Sequence, residues 1–352
     1  MTRFLALFAA LLLGACAYTP EPPRPQWSLA VHGGAGVIER AQMDAATEAA
    51  YRASMNAALD RGSAVLARGG SSLEAIEAVI TGMEDDPLFN AGRGAVFTAE
   101  GRNELDASIM DGATLKAGAV AGVTRVRHPI TLARRVMENS PHVMMIGAGA
   151  EDFARTQGLE FVDPSFFFTE RRWQGLERQL RQQNLPVPPR PRGAPAPGAS
   201  AQSLGMRDDS DRKFGTVGVV ALDQAGNIAA GTSTGGTTGK RFGRVGDAPI
   251  IGAGTYASNR SCAVSATGTG EFFIRLSVAR TICALVEHRG LSVQAAADQV
   301  VQRDLPAIGG DGGVIVMSPR GQAGWSYNTS GMYRASADST GRRSVGIFKD
   351  EP

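Results

Sequence analysis

Apolar and polar residues are arranged along this chain so that strands both precede and follow helices. The run TVGVVALD at 216–223 has apolar residues on both faces, Gly226-Asn227 makes a turn, and NIAAGTST at 227–234 returns. This pattern predicts a buried β-hairpin. Further strands are predicted at SLAVHGGAG, residues 105–110, KAGAVAGV, HVMMIGAG, residues 261–267, GGVIVMSP, GWSYNTS and RRSVGIF.

Other segments have the apolar spacing of helices. Residues 44–68 keep that spacing until Gly69-Gly70, and Ser71 or Ser72 caps a second helix that runs to about Met83. Further helices are predicted at 129–139, 149–157, 165–182, 292–304 and EFFIRLSVARTICALVEH, the last taken as one long helix. Because several strands are apolar on both faces, we expect an α+β fold, a four-layer αββα sandwich of two stacked sheets covered by helices.

Composition narrows the class of protein. The 352 residues are 43% hydrophobic, which is enough for a large core in one domain or two. The net charge of +2 comes without a sustained basic run, so nothing indicates nucleic acid as a partner. The four histidines are scattered, and there is no CxxC or HExxH motif, so a catalytic transition metal is not expected.

The first 15 residues are predicted to be a signal peptide. Arg3 precedes the apolar run FLALFAALLLGA, which is too short to span a bilayer and ends in small residues. Leu13-Gly14-Ala15-Cys16 resembles the lipobox of bacterial lipoproteins, which predicts export to the periplasm and a lipid anchor at Cys16. The alternative is ordinary cleavage near Ala17. Residues 16–26 are rich in proline and are expected to form an extended tether.

Two further features concern the covalent organisation of the exported chain. Cys262 and Cys283 could bridge, but Cys283 lies in the middle of an apolar helical pattern, so two buried thiols are the favoured expectation. Residues 183–212 are rich in Pro, Gly, Ala and Ser and poor in large apolar groups. We therefore expect a disordered linker there, leading to Gly215-Thr216.

Gly215-Thr216 has the features of a self-cleavage junction. A threonine at the start of a strand, once freed as an N-terminus, can use its hydroxyl as nucleophile and its own α-amine as base, with a pKa near ~8. Glycine before it tolerates the distorted backbone that such a cut needs. Together with the hydroxyls on the returning strand, these features suit an N-terminal-nucleophile hydrolase. As a lone feature, however, a strand threonine is more often structural.

Two rival motifs can be set aside. Ser233 lies in a G-x-S-x-G pattern and is followed by Asp247 and His288, an order typical of esterases, with HGGAG at 32–36 as an oxyanion motif. That elbow needs a helix directly after the serine, and GGTTGKRFG is not one. A P-loop at Gly239-Lys240 is excluded because Arg241 replaces the required Ser or Thr.

Several motifs together resemble the plant-type L-asparaginases, also called isoaspartyl peptidases. These are GTVGVVALD, GTSTGG, GRVGDAPIIGAGTYA, SATGTGE, HGGAG, PLFNAGRGAVF and ELDASIMDG, which occur in the order of that family. The resemblance covers residues 27–348 and implies one structural domain cut into an α subunit (27–215) and a β subunit (216–352). It implies hydrolysis of β-aspartyl dipeptides and L-asparagine. Alternatives are a glycosylasparaginase-like amidase and an inactive binding lipoprotein.

The resemblance also assigns roles to residues near Thr216. Thr234 would polarise the nucleophile, and Thr267-Gly268 would form the oxyanion hole. Arg244 would clamp the substrate α-carboxylate and Asp247 its ammonium, with a backbone contact from Gly270 and with Asn90 close to the nucleophile. Without the family, Arg244 and Asp247 would be a surface ion pair and Asn90 a turn residue.

The resemblance finally implies a structural sodium ion and a dimer. The loop EDDPLFNAGRGAVF would hold sodium through backbone carbonyls, a suitable ligand type for a hard cation. No other cofactor is expected, and the partners would be a small-molecule or dipeptide substrate and a second copy in an (αβ)₂ homodimer. The carbonyls assigned to sodium are those of Met83, Glu84, Asp86, Phe89, Ala91 and Arg93.

Overall fold

The computed structural model describes residues 24–196 and 215–351. The predicted signal peptide, Cys16 and most of the tether lie outside the described residues, as does 197–212 of the predicted linker. The strands are β1 Ser28–Gly36, β2 Leu105–Asp111, β3 Ala117–Val123, β4 Met144–Ile146, β5 Val217–Leu222, β6 Ile228–Thr234, β7 Thr255–Ala257, β8 Ala263–Gly268, β9 Gly312–Met317, β10 Ala323–Tyr327, β11 Gly331–Asp338 and β12 Arg343–Phe348.

Helices occupy much of the remaining described chain. The α-helices are α1 Ala45–Ala67, α2 Ser72–Glu84, α3 Pro129–Asn139, α4 Gly147–Thr156, α5 Glu170–Gln182, α6 Gly270–Leu276, α7 Val278–Arg289, α8 Val293–Gln299 and α9 Leu305–Ala307. A π-helical turn at Val300–Asp304 joins the last two. Short 3₁₀ turns lie at Arg40–Gln42, Gly92–Gly94 and Pro164–Phe167.

The strands form two sheets whose inner faces pack together. The larger sheet has eight strands in the order β12-β11-β1-β5-β6-β2-β3-β4, and the smaller has four in the order β10-β9-β8-β7. Helices α1, α2 and α3 cover the outer face of the larger sheet, and α7 and α8 cover the smaller one. The expected α+β, four-layer αββα sandwich is confirmed.

The predicted hairpin β5–β6 lies in the middle of this sandwich. Val217, Val219 and Ala221 point into the core under α1 and α2, whereas Val220 and Leu222 point between the sheets. The two strands pair antiparallel from Val217↔Ser233 to Leu222↔Ile228. Both faces of β5 are covered, so Thr216, the residue directly before β5, adjoins a fully packed strand.

Sequence periodicity located most helix boundaries. The predicted helices at 44–68 and 129–139 are α1 and α3, and Ser71 caps α2 through the Glu74 amide, as expected. The predicted strand HVMMIGAG is shorter than expected. It ends at Ile146, because Gly147 has a φ of 51° and opens α4.

The expected single helix at 271–288 is two helices. Ser277 adopts a left-handed conformation, with φ 48°, and separates α6 from α7. The amides of Ala279 and Arg280 donate to the carbonyls of Ala253 and Gly252, at 3.1 and 2.8 Å. Tertiary hydrogen bonds therefore take the place of the helical ones that the sequence pattern predicts.

The expectation of two buried thiols is wrong. Cys262 and Cys283 form a disulfide, with their Cα atoms 5.2 Å apart. Cys262 directly precedes β8, and α7 packs against that strand, so the mid-helix position of Cys283 faces the strand rather than apolar side chains alone. Both residues are fully buried.

The described part of the predicted linker is packed. Leu185, Val187 and Ala194 lie against a small aromatic cluster that includes Trp173. Arg190 forms an ion pair with Glu170 at 2.5 Å. Residues 183–196 therefore return along α5 as an ordered segment, because the sparse apolar groups in this stretch meet that cluster.

Candidate active site

Thr216 lies beside Thr234 at the end of the central hairpin. Their Oγ1 atoms are 2.9 Å apart, and the backbone amide of Gly236 donates to Thr234 Oγ1 at 3.0 Å. Because Thr234 Oγ1 already accepts from an amide, its own hydrogen is available to Thr216 Oγ1. With Thr234 as the donor, Thr216 keeps its own hydrogen for a base.

Gly215 is held tightly on the N-terminal side of this pair. Its carbonyl accepts from the Asn90 amide at 2.8 Å, and its φ is 124°. A Cβ at position 215 would lie 2.4 Å from the Asn90 nitrogen, and one at Gly34 would lie 2.5 Å from the Gly215 nitrogen. Position 215 is therefore compatible only with glycine, and so is position 34 of β1, which lies against it.

Asn90 joins two loops beside the hydroxyls of Thr216 and Thr234, which we call the hydroxyl pair. Its Nδ2 donates to the Gly236 carbonyl at 2.7 Å, and its Oδ1 accepts from the Val96 amide at 2.9 Å. Its own carbonyl accepts from the Gly235 amide at 2.9 Å. Asn90 thus lies beside Gly215-Thr216, and both ends of its side chain form hydrogen bonds with the backbone.

Arg244 makes a two-point contact with Glu271. Arg244 Nε and Nη2 donate to the two carboxylate oxygens of Glu271, each at 2.9 Å. The guanidinium lowers the pKa of Glu271, so that carboxylate is ionised at neutral pH. Glu271 is not among the site residues predicted from the sequence, although it ends the motif SATGTGE.

Asp247 is buried beside Gly270. A Cβ at position 270 would lie 2.8 Å from Asp247 Oδ1, so glycine is needed for this approach. Asp247 Oδ2 is buried without a hydrogen-bond partner. Burial raises the pKa of Asp247 to about 7, and the positive charge of Arg244 opposes that rise. An orphan acceptor of this kind suits an incoming cationic group.

Thr267 and Gly268 end β8 in the smaller sheet, across from the hairpin. Two residues earlier, Ser265 lies directly under Gly218, where a Cβ would be 1.9 Å from the serine hydroxyl. Side chains along a strand alternate with a period of two. Thr216 therefore faces the same way as Gly218, and Thr267 the same way as Ser265. Both threonines therefore face the layer between the sheets, and Thr267 is 1% exposed.

A row of buried polar side chains crosses this layer. It consists of His32, Ser265, Thr232, Thr255 and Ser108, and we call it the hydroxyl row. Successive side-chain atoms are 2.9, 2.7, 2.6 and 2.8 Å apart, and Ser108 ends the row on the Ala248 carbonyl at 2.6 Å. Burial lowers the pKa of His32 to about 3, so its imidazole is neutral.

The residues of the rival motifs have other roles in the structure. Ser233 is fully buried inside β6 and donates to Glu84 Oε1 at 2.7 Å, so it forms no exposed elbow. His288 lies on α7 beside Glu287, with its side chain 63% exposed. Lys240 is buried, and its Nζ lies 3.8 Å from Asp106. The structure thus excludes both the esterase and the P-loop assignments.

The loop after α2 can hold a hard cation through carbonyl oxygens. A Cβ at Gly92 would lie 2.2 Å from the Glu84 carbonyl oxygen, and one at Gly94 would lie 2.0 Å from that of Phe89. Glycine at both positions therefore lets the backbone lie close to two of the predicted sodium ligands, which are carbonyl oxygens of the type that a hard cation binds. Within residues 24–196 and 215–351, no cluster of three His, Cys, Asp or Glu side chains could bind a metal.

The four-layer sandwich, with two threonine hydroxyls in contact at one end of its central hairpin, has the architecture of the N-terminal-nucleophile class of hydrolases. Within that class the chain belongs to the asparaginase family, since the family model described as "Asparaginase" matches residues 25–347. It is similar to the isoaspartyl peptidase of Escherichia coli (strain K12), 48% identical over 92% of this chain and 96% of the relative.

Two more distant relatives have the same coverage pattern. The probable isoaspartyl peptidase/L-asparaginase 2 of Arabidopsis thaliana is 41% identical over 92% of this chain and 99% of its own. The plant-type L-asparaginase of Pyrococcus abyssi (strain GE5 / Orsay) is 39% identical over 87% of this chain and 94% of its own. The resemblance inferred from the motifs is confirmed.

Proposed function

We propose that the protein is a self-processing amidohydrolase that releases aspartyl groups from β-aspartyl dipeptides and L-asparagine. The contact between Thr216 Oγ1 and Thr234 Oγ1, at 2.9 Å and directly after a constrained glycine, carries the proposal. The printed names of the relatives, isoaspartyl peptidase and L-asparaginase, support this substrate class.

Self-cleavage begins with attack of Thr216 Oγ1 on the Gly215 carbonyl carbon. The amide N–H of Asn90, 2.8 Å from that carbonyl oxygen, donates to the charge that develops there. The C–Oγ1 bond forms, the C–N bond breaks, and the Oγ1 proton is transferred to the departing Thr216 nitrogen, which gives an ester and a free Thr216 amine. Water then hydrolyses the ester, leaving a carboxylate on Gly215 and a hydroxyl on Thr216.

Turnover repeats the same attack on the substrate amide. The Thr216 α-amine accepts the hydroxyl proton, and Thr234 donates a hydrogen bond to the attacking oxygen. The proton passes to the leaving amine, and water hydrolyses the acyl-enzyme to release aspartate. Thr267 and Gly268 supply the oxyanion donors in this proposal, each of which is typically worth roughly 3–4 kcal/mol in the transition state.

The substrate's aspartyl end needs partners for one ammonium and one carboxylate. Asp247, with a buried and unpartnered Oδ2, is suited to the ammonium, and Arg244 to the carboxylate. The backbone at Gly270 lies against Asp247 and completes this end of the site. The side chain of Asn90 positions the surrounding loops and need not contact substrate.

A hydrolysis assay with purified protein tests the function. We expect release of aspartate from β-aspartyl dipeptides and from L-asparagine by protein that runs as two chains on a denaturing gel. Activity confined to glycosylated asparagine would favour the glycosylasparaginase alternative. A single uncut chain that binds aspartate without turnover would favour the binding-lipoprotein alternative.

We propose further that the enzyme is exported and lipid-anchored at Cys16. The support is the apolar run before LGAC and the proline-rich segment after it. The helices of the described residues include none with the length and apolarity that crossing a membrane requires. Substituting Cys16→Ser should move the protein from the detergent phase to the aqueous phase. Unchanged partitioning would contradict the anchor and leave a signal peptide cleaved near Ala17.

The assembly and ion content form a separate proposal. We infer an (αβ)₂ homodimer with sodium in the loop of residues 84–97. The support for the ion site is the donor type, since the carbonyl oxygens of this loop are the ligands that a hard cation prefers. Light scattering should give the mass of two αβ units, and dialysis against sodium-free buffer should lower the melting temperature. A single αβ unit at micromolar concentration would contradict the dimer.

A further inference from the structure

Glu271 occupies only one of the two edges that a guanidinium can offer. A planar guanidinium can bind a carboxylate at its side edge, through Nε and one Nη, or at its end edge, through both Nη atoms. Glu271 takes the side edge of Arg244, through Nε and Nη2 at 2.9 Å each. The end edge therefore remains available for a second carboxylate.

The free Nη1 of Arg244 lies among the loops of the candidate active site. A Cβ at Gly246 would be 2.8 Å from Nη1, and one at Gly236 would be 3.5 Å away. Gly236 also donates to Thr234 through its amide, and Gly246 directly precedes Asp247. The open edge of Arg244 is thus located between the hydroxyl pair and the buried acid.

The position of Glu271 follows from the segment that precedes it. Thr269 donates its amide to the Asp311 carbonyl at 3.0 Å, and its hydroxyl to Asp311 Oδ1 at 2.5 Å. Gly270 then lies against Asp247 and begins α6, and Glu271 lies in the first turn of that helix. The carboxylate is thereby supplied by the same short stretch that carries Thr267 and Gly268.

We propose that Glu271 is a positioning residue that holds Arg244 with its end edge toward the α-carboxylate of the substrate. This inference rests on the proposed function, since it names what prepares the carboxylate partner of that site. An arginine side chain left free must lose rotamer entropy when a substrate binds. Glu271 removes part of that cost before the substrate arrives, which lowers KM without any contact to the reacting atoms.

Two variants and one matched control test the proposal. Glu271→Ala frees Arg244, and Glu271→Gln keeps the shape of the side chain but removes its charge. Glu287→Gln makes the same charge change on α7, where Glu287 pairs with Arg260 and Arg280. All three should cleave themselves normally, because self-cleavage presents no free α-carboxylate.

The kinetic expectation is a change in KM rather than in kcat. For β-aspartyl dipeptides, Glu271→Ala should raise KM about three- to tenfold, the cost of ordering one long side chain, with Glu271→Gln between it and wild type. The kcat should stay near wild type, since the lost interaction is equal in ground and transition states. With a dipeptide in which the α-carboxyl group of the aspartyl residue is amidated, wild type, Glu271→Ala and Glu271→Gln should all have the same KM.

Two results would overturn the inference. A KM that falls in Glu271→Ala would identify Glu271 as a competitor for the arginine, and an unchanged KM would show that it does not act on the site. Calorimetric binding of L-aspartate, the product, distinguishes failure of the positioning role of Glu271 from failure of the proposed function. Wild-type protein that binds aspartate more tightly than Glu271→Ala, yet hydrolyses nothing, would support the positioning role and contradict the activity.

Discussion

The amide of Asn90 donates to the carbonyl of Gly215 at 2.8 Å, so the bond proposed for cleavage is already polarised in the intact chain. The Thr216 hydroxyl follows one residue later, with its Oγ1 2.9 Å from Thr234 Oγ1. Electrophile and nucleophile are thus prepared by different parts of the fold.

Substituting Thr216→Ala should leave one uncut, inactive chain, because the same hydroxyl attacks in self-cleavage and in turnover. Thr216→Ser should still cut itself, since it retains the hydroxyl. Intact-mass measurement and N-terminal sequencing check this, with Thr-Val-Gly-Val as the expected new N-terminus in wild type. Active wild-type enzyme without that N-terminus would refute the nucleophile assignment.

Substituting Thr234→Val removes the hydrogen bond to Thr216 while keeping the shape of the side chain. We expect kcat to fall by about 10²-fold or more, typical of a lost group that assists proton transfer. Ser233→Ala is the control, since Ser233 is the neighbouring residue on the opposite face and bonds to Glu84. It should lower the melting temperature and keep kcat. Equal kcat values in the two variants would contradict the role of Thr234.

Substituting Arg244→Ala should separate self-cleavage from substrate binding. The variant should still cut itself, but kcat/KM for β-aspartyl dipeptides should fall by about 10²–10³ or more, the cost of roughly 3–5 kcal/mol for removing a desolvated charge partner. Arg244→Lys should rescue poorly, because an ammonium lacks the planar fork. Wild-type kcat/KM in the cut Arg244→Ala enzyme would exclude the clamp.

Substituting Asp247→Asn should stabilise the protein at alkaline pH while abolishing substrate binding. A buried carboxyl with a raised pKa favours its protonated form, so its contribution to stability is lost as pH rises through about 7. The full effect is on the order of 4 kcal/mol. The melting temperature of the variant should therefore exceed that of wild type near pH 8 but not near pH 4. Asp152→Asn, at an exposed site, should show no such difference.

Removing the Cys262–Cys283 bridge should destabilise the fold. The two residues are 21 apart in sequence, and a closed loop of that size contributes about 3 kcal/mol through the unfolded state. The double variant Cys262→Ala/Cys283→Ala should unfold at lower urea concentration, and reductant should shift wild type in the same direction. Titration of the denatured wild type that finds both thiols free would contradict the bridge.

The layers and most helix boundaries of this fold are predictable from local pattern. Buried strands such as β5 are apolar on both faces, and α1 keeps helical spacing until Gly69, so both are found by periodicity alone. Strand β11 was not predicted, since Gly331–Asp338 mixes Arg334 and two serine or aspartate residues with small groups. Its burial is a product of its position between β1 and β12.

The parts of the site that sequence could not supply are tertiary contacts. Motifs identified Thr216, Thr234, Arg244 and Asp247, but no spacing along the chain predicts that Glu271 meets Arg244 across 27 residues. The hydroxyl row was missed for the same reason, since its members come from five different strands. Similarly, the helix break at Ser277 depends on hydrogen bonds from backbone amides of α7 to carbonyls in the loop that precedes β7.

The hydroxyl row has a consequence for the cut protein. His32 and Ser108 belong to the segment before Gly215, and Ser265, Thr232 and Thr255 to the segment after Thr216. Strands of the two segments also pair with each other in the larger sheet. Strand β1, from the first segment, lies between β11 and β5 of the second, and β2 of the first lies beside β6 of the second. Separation of the fragments would therefore leave buried donors without partners and break the central sheet. The cut chain should thus copurify as a single noncovalent unit and dissociate only under denaturing conditions.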